Sequence, residues 1–145
     1  VKLIARYGSQ NTKICLVSPA SLRMPDTIID DLTEHSIAFV ETSDLYEVLG
    51  ETDVIYWTRI QQERFARQAD YDAVRDNFIM TPAVLNQAPR DVILMHPLPR
   101  RNEMGSPADH DILDQNPRAV YFQQMENGMF VRMALLAKVL GVYDR

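Results

Sequence analysis

Short apolar runs alternate along this chain with stretches whose apolar residues recur at helical spacing, and no other feature limits the fold as strongly. Ile14-Cys15-Leu16-Val17 reads as a buried strand, with Cys15 as a small core residue. Pro25 is placed to open a helix, because its missing N–H costs nothing in a first turn. Ile28, Ile29 and Leu32 then line one face of it. Residues 37–40 read as a second strand. Thr42, Ser43 and Asp44 offer capping oxygens for a short helix through Leu49, and Gly50 can end that helix in a left-handed conformation. Residues 53–58 form a third strand, and 92–95 the last. Thr81-Pro82 is a helix start, an N-cap threonine with proline just inside. Gln61 to Asp76 is polar and reads as loop with short helical pieces. Residues 97–117 read as one long loop. A final helix runs from about Ala119 or Gln124 to Leu140, with Gly141 as its stop.

Strands alternating with helices imply an α/β layer fold, a Rossmann-like three-layer sandwich with a mostly parallel sheet. The 145 residues suffice for one domain with one core. Two features suggest more sequence upstream. The last helix is apolar almost all round, from Met129 to Leu140, and such a helix needs burial on most faces. Val1 to Tyr7 reads as the tail of a helix whose start is absent.

The net charge of −5 argues against a general nucleic-acid or anionic-membrane binder. No apolar run approaches the roughly 18 residues of a membrane span. One cysteine permits no disulfide framework, which fits a reducing, cytoplasmic setting. No glycine-rich G-x-G-x-x-G turn is present, which disfavours a dinucleotide-binding domain. No metal-ligand cluster is apparent, and no cofactor is expected.

In an open parallel sheet, ligands bind beyond the carboxyl ends of the strands. The third strand ends in Thr58-Arg59-Ile60-Gln61. Residues two apart in extended chain face the same side, so Arg59 and Gln61 point together. A guanidinium beside a carboxamide can clamp a carboxylate. On spacing alone the pair is equally an ordinary surface arginine and glutamine. The last strand ends in His96-Pro97-Leu98-Pro99-Arg100. Two prolines around one residue stiffen the path, so the turn can hold a backbone carbonyl at a ligand or serve simply as a rigid strand exit.

Three segments taken together resemble a known family. They are Thr58-Arg59-Ile60-Gln61 with Glu63-Arg64, then His96-Pro97-Leu98-Pro99-Arg100 with Glu103, then residues 119–124 leading into 128–136. In order and spacing they resemble aspartate carbamoyltransferase over nearly the whole chain. The related ornithine enzymes carry a Ser-Met-Gly turn in the amino-acid site and a cysteine in place of Pro97, and neither is present.

The resemblance implies transfer of a carbamoyl group from carbamoyl phosphate to the α-amine of L-aspartate in pyrimidine biosynthesis, without metal or cofactor. Arg59 and Gln61 would hold aspartate. Leu98 would present its backbone carbonyl to the carbamoyl group, with the Leu98–Pro99 peptide cis, and Pro99 would line the same pocket. Arg64 would pair with a carboxylate to close the mobile loop, or else remain a solvated loop arginine. His96 reads as structural, and His35 and His110 as surface residues. Residues 1–145 would be the aspartate-binding domain, with about 119–141 packing on a carbamoyl-phosphate domain that this sequence lacks. The family's first domain carries a Ser-Thr-Arg-Thr phosphate loop, and its central sheet strand precedes a stretch like Val1-Lys2-Leu3-Ile4. Its catalytic unit is a homotrimer with shared active sites. Other pyrimidine-pathway domains on the same polypeptide are a further expectation. Residues 104–116 depart from the family pattern and read as a surface-loop insertion. The alternative reading is a non-catalytic scaffold that kept the fold.

Overall fold

The structure, a computed structural model, describes residues 1–9 and 11–142. It divides into two compact units, Val1–Gly50 and the residues from Glu51 onward.

In the first unit, α1 (Lys2–Tyr7) is followed by β1 (Lys13–Val17), α2 (Asp26–Glu34), β2 (Ala38–Thr42) and α3 (Tyr46–Leu49). β1 and β2 pair in parallel from Lys13↔Ala38 to Val17↔Thr42. Ala5, Leu32 and Ile37 make the buried cluster, with Ile14, Leu16 and Phe39 packed on it. α2 begins just after Pro25, which is its N-cap at ψ 141° and not a first-turn residue, and exits through Ser36 at φ 55°. Ser36 N–H donates to the Thr33 carbonyl and Ile37 N–H to that of Leu32, the pairing that closes a helix with a left-handed residue. Leu32 and Ile37 flank that closure and both enter the core, so the helix stop and the cluster reinforce one another. Asp44 accepts from Tyr46 N–H at 2.9 Å and starts α3. Gly50 is right-handed at φ −70°, not left-handed as expected. β1 is half-buried along most of its length, Cys15 included, and not the fully buried strand expected. Its only ladder among the described residues is with β2, so one edge gains no cover from pairing.

The second unit contains β3 (Val54–Tyr56), α4 (Gln68–Asp72), α5 (Pro82–Leu85), β4 (Ile93–Met95), α6 (Pro107–Asp114) and α7 (Tyr121–Val139). β3 and β4 are parallel, Val54↔Ile93 to Tyr56↔Met95. Ile55 and Trp57 are buried while Val54 and Tyr56 are exposed, so β3 has one covered face. Residues 118–120 lie along the other side of β4: Leu94 N–H donates to the Arg118 carbonyl and Val120 N–H to that of Leu94. Thr81 caps α5 by accepting from Val84 N–H, as its sequence predicts. The described strands thus form two parallel pairs where one interrupted sheet was expected, and the class is α/β.

The long loop expected over 97–117 is corrected by α6. Ser106 and Asp109 form a reciprocal capping box with Pro107 in the first turn. That signature was present in Ser106-Pro107-Ala108-Asp109. Only two apolar residues follow it, too few to show a helical period. The segment is no surface elaboration either, because Met104 and Leu113 are both fully buried. α7 ends where Gly141 turns left-handed at φ 65°. Of its residues only Tyr121 is buried, and Met129, Phe130, Met133, Leu136 and Val139 are about half exposed or more.

If α6 is part of the core, Leu113→Ala will destabilise the protein by about 3 kcal/mol. Ile112→Ala, on the exposed side of the same turn, will change stability by less than about 0.5 kcal/mol. Urea unfolding of the longest natural chain containing these residues tests both. Equal small losses would return 104–116 to a surface appendage.

Candidate functional site

Parallel pairing puts the carboxyl ends of β3 and β4 side by side. Trp57 N–H donates to the Met95 carbonyl at 2.9 Å, extending the pair by one residue. Arg59 and Gln61 leave one strand at this edge, and His96 to Arg100 leave the other. The topology therefore brings the two predicted segments to the one edge where a parallel sheet offers a ligand site.

The turn after β4 is held by side-chain bonds. His96 is 2% exposed, Leu98 half-buried, and Pro97 and Pro99 exposed. The Leu98–Pro99 peptide is cis, and Leu98 sits at φ 46°, a left-handed conformation rare for a residue with its side chain. Leu98 N–H donates to His96 Nδ1 at 2.9 Å. His96 Nε2 lies 3.1 Å from Glu103 Oε1. The Glu103 carboxylate also accepts from Arg101 N–H at 2.9 and 3.1 Å. The Glu103 carbonyl accepts from Trp57 Nε1 at 2.9 Å and from Met80 N–H at 2.8 Å. His96 N–H donates to Gln124 Oε1 at 3.0 Å, tying the turn to α7. Burial holds the His96 imidazole below its ordinary pKa of 6.5, against the pull of Glu103 and with a smaller push from Arg100. Both ring nitrogens are thus engaged with the protein itself.

Arg100, next along, grips Asp114 at the end of α6 with both terminal nitrogens, Nη2 to Oδ2 at 2.7 Å. The Tyr121 hydroxyl donates to Asp114 and accepts from Arg100 at 3.2 Å. The bond from Arg100 keeps the Asp114 carboxyl below the usual range. Burial and the bond to Asp114 push the Tyr121 hydroxyl up. His110, expected at the surface, is half-buried on α6, with Nε2 enclosed and unpartnered among the described residues.

Arg59 makes a two-point fork to Glu63, 2.6 and 3.1 Å, four residues on. That bond lowers the Glu63 carboxyl to about 2. The guanidinium is thus already engaged with a carboxylate, with its side chain about one-third exposed. Gln61 is half-buried just before the short turn Gln62–Arg64. Arg64 is exposed and makes no ion pair among the described residues. An open hollow of about 430 Å³ lies along Gln62, Glu63, Phe65, Ala66, Arg67 and Gln68.

Sequence reasoning missed Glu63, Glu103, Gln124, Asp114 and Tyr121 as partners. Glu63 had a signal in its spacing of four from Arg59. Asp114 and Tyr121 had none, because the fold alone brings them to Arg100. A metal-ligand trio was also overlooked: Asp31, Glu34 and His35 come within 4.8 Å of one another at the exposed end of α2. His35 Nδ1 is bonded to the Asp31 carbonyl at 2.8 Å, and Asp31 Oδ2 is enclosed without a hydrogen-bond partner among the described residues.

Residues 1–139 match the family described as aspartate/ornithine carbamoyltransferase, Asp/Orn binding domain, and the chain belongs to that family. It is 44% identical over 142 residues to the aspartate carbamoyltransferase catalytic subunit of Clostridium novyi (strain NT), covering 98% of this chain and 44% of that protein. It is 48% identical over 141 residues to multifunctional protein pyr1-3 of Dictyostelium discoideum, covering 97% of this chain and 6% of that one. The crystal structure of aspartate transcarbamoylase from Trypanosoma cruzi with aspartate and phosphate aligns with a TM-score of 0.72 at 34% identity, over 93% of this chain and 40% of that one. The chain spans less than half the length of these relatives.

His96 also predicts a pH effect. Its imidazole is harder to protonate in the folded protein than in the unfolded chain. Stability is then complete above the ordinary value of 6.5 and falls as pH drops through it toward the lowered value. Urea midpoints at pH 7.5 and 5.5 will show a loss in the parent and a smaller loss in His96→Gln. Identical losses would remove His96 as the cause.

Proposed function

We propose that this chain is the aspartate-binding domain of an aspartate carbamoyltransferase. The enzyme transfers the carbamoyl group of carbamoyl phosphate to the α-amine of L-aspartate, releasing phosphate and N-carbamoyl-L-aspartate. The observation that carries the reading is the shared strand edge. On one side stands a guanidinium that already forks a carboxylate, and on the other a braced turn with Leu98 and Pro99 accessible. Relatives of the same family support it. Trypanosoma cruzi aspartate transcarbamoylase has been crystallised with aspartate and with carbamoyl phosphate.

In this reading Arg59 exchanges Glu63 for a carboxylate of aspartate, with Gln61 as the second donor. A fork already built for two oxygens suits that exchange. The Leu98 carbonyl, an acceptor only, takes an N–H of the carbamoyl group, and Pro99 walls the pocket. Arg64 pairs with a carboxylate when the 62–68 segment closes. The amine attacks the carbamoyl carbon, a tetrahedral intermediate forms, and phosphate leaves. The protein's contribution is to position two anions and stabilise the developing charge. No cofactor or metal is required by this chemistry.

In this proposal residues 1–145 make up the aspartate-binding domain. The apolar faces of α7, over about 119–141, pack on a carbamoyl-phosphate domain. The working enzyme is a cytoplasmic homotrimer with shared sites, free-standing or joined to other pyrimidine-pathway domains as in the multifunctional relative. Among the described residues no helix is long and apolar enough to cross a membrane.

Carbamoyl-aspartate formation by the longest natural chain containing these residues tests the assignment. Arg59→Ala will reduce kcat/KM by at least about a hundredfold, the loss expected when one partner of a charge-assisted pair is removed. An active parent with an undiminished variant would place aspartate elsewhere. An inactive parent would favour a scaffold that retains the fold.

A further inference from the structure

We propose that His96 is a positioning residue: as a neutral imidazole with its proton on Nε2, it fixes the left-handed backbone of Leu98 and thereby aims the Leu98 carbonyl. The inference rests on the proposed function, which gives that carbonyl its task.

The tautomer follows from the contacts. A backbone N–H can only donate, so the Leu98 N–H at 2.9 Å requires a lone pair on His96 Nδ1. The ring proton then sits on Nε2, where the Glu103 carboxylate is placed to accept it at 3.1 Å. Glu103 cannot swing away cheaply. Two bonds from Arg101 N–H hold its carboxylate, and Trp57 and Met80 hold its carbonyl. His96 is pinned at its own backbone by Gln124. The ring is therefore fixed at both nitrogens, and it offers one acceptor in one direction.

That acceptor meets the residue that most needs holding. Leu98 at φ 46° occupies a region that costs a side-chain-bearing residue free energy unless its surroundings dictate it. Only φ and ψ of Leu98 separate its N–H from its carbonyl. Anchoring the N–H restricts where the carbonyl can point. A protonated ring, or the other tautomer, would set a hydrogen on Nδ1 against the Leu98 N–H, and two opposed donors would open the turn. His96 touches no reacting atom in this account. It acts through Leu98.

The two ring nitrogens can be separated by substitution. The amide oxygen of asparagine can reach the place of Nδ1, whereas the longer glutamine reaches that of Nε2. In the full-length protein, His96→Asn will keep kcat for carbamoyl-aspartate formation within about threefold of the parent. His96→Gln will lower kcat by at least about thirtyfold, with KM for aspartate changed less than about threefold, since the loss falls on the carbamoyl group and not on the aspartate clamp. A merely structural histidine would give the reverse order or equal losses, because glutamine keeps the buried link to Glu103. A second measurement needs no variant that must fold well. The ring-nitrogen NMR shifts of His96 in the parent will report the Nε2–H tautomer, and an Nδ1–H or doubly protonated ring near neutral pH would overturn the proposal. An inactive parent sinks both readings. An active, Arg59-dependent parent in which the two variants fall together sinks this one alone.

Discussion

The site depends on one buried carboxylate. Glu103 is 7% exposed, and a carboxylate that far from water is tolerated only if hydrogen bonds replace its hydration. Those bonds come from His96 and from Arg101, the two ends of the segment that carries Leu98 and Pro99. Satisfying Glu103 and shaping the turn are therefore the same event. The backbone of Glu103 extends the coupling by accepting from Trp57, at the end of β3, and from Met80, just before α5. One residue ties together the end of one strand, the exit from the other and the helix start that packs beside them.

A second brace works from outside. Arg100 faces Asp114 and Tyr121, which belong to α6 and α7. Arg100 and Asp114 are partly shielded and Tyr121 is fully buried, and each supplies what another lacks: the guanidinium neutralises the carboxylate, and the hydroxyl bonds to both. α6 thus serves as a strut behind the turn. Its capping box gives an eight-residue helix a defined start, and Leu113 anchors it in the core. By contrast the Arg59–Glu63 fork is only partly covered and local to one turn of chain. The turn is held by several buried or partly buried bonds and the guanidinium by one local pair. The proposed roles, a carbonyl at a fixed place and a guanidinium that captures a ligand, are compatible with that difference.

The two segments that leave the shared strand edge were legible from sequence because their signals are local. Arg59-Ile60-Gln61 and His96-Pro97-Leu98-Pro99 each lie within a few residues, directly after an apolar run. Proline and threonine marked helix starts at Pro25 and Thr81 for reasons internal to the backbone, and Gly141 marked a stop. Elsewhere local signals did not suffice. Ser36, exposed and not a glycine, takes the left-handed exit of α2 while Leu32 and Ile37 enter the core. Gly50 stayed right-handed because freedom to turn is no obligation. Residues 97–117 hid a helix because its apolar content is too small to show a period.

By itself, then, the sequence determined the α/β class, the strand ends proposed to carry the site, and the family, since each rests on residues near one another in the chain. Only the tertiary structure decided what surrounds them. Glu103 reaches His96 across seven positions, Asp114 reaches Arg100 across fourteen, and Gln124 reaches His96 across twenty-eight. No periodicity encodes such separations. They arise when β3, β4 and the start of α7 pack side by side, and burial then makes each unpaired polar group too costly to leave without its partner.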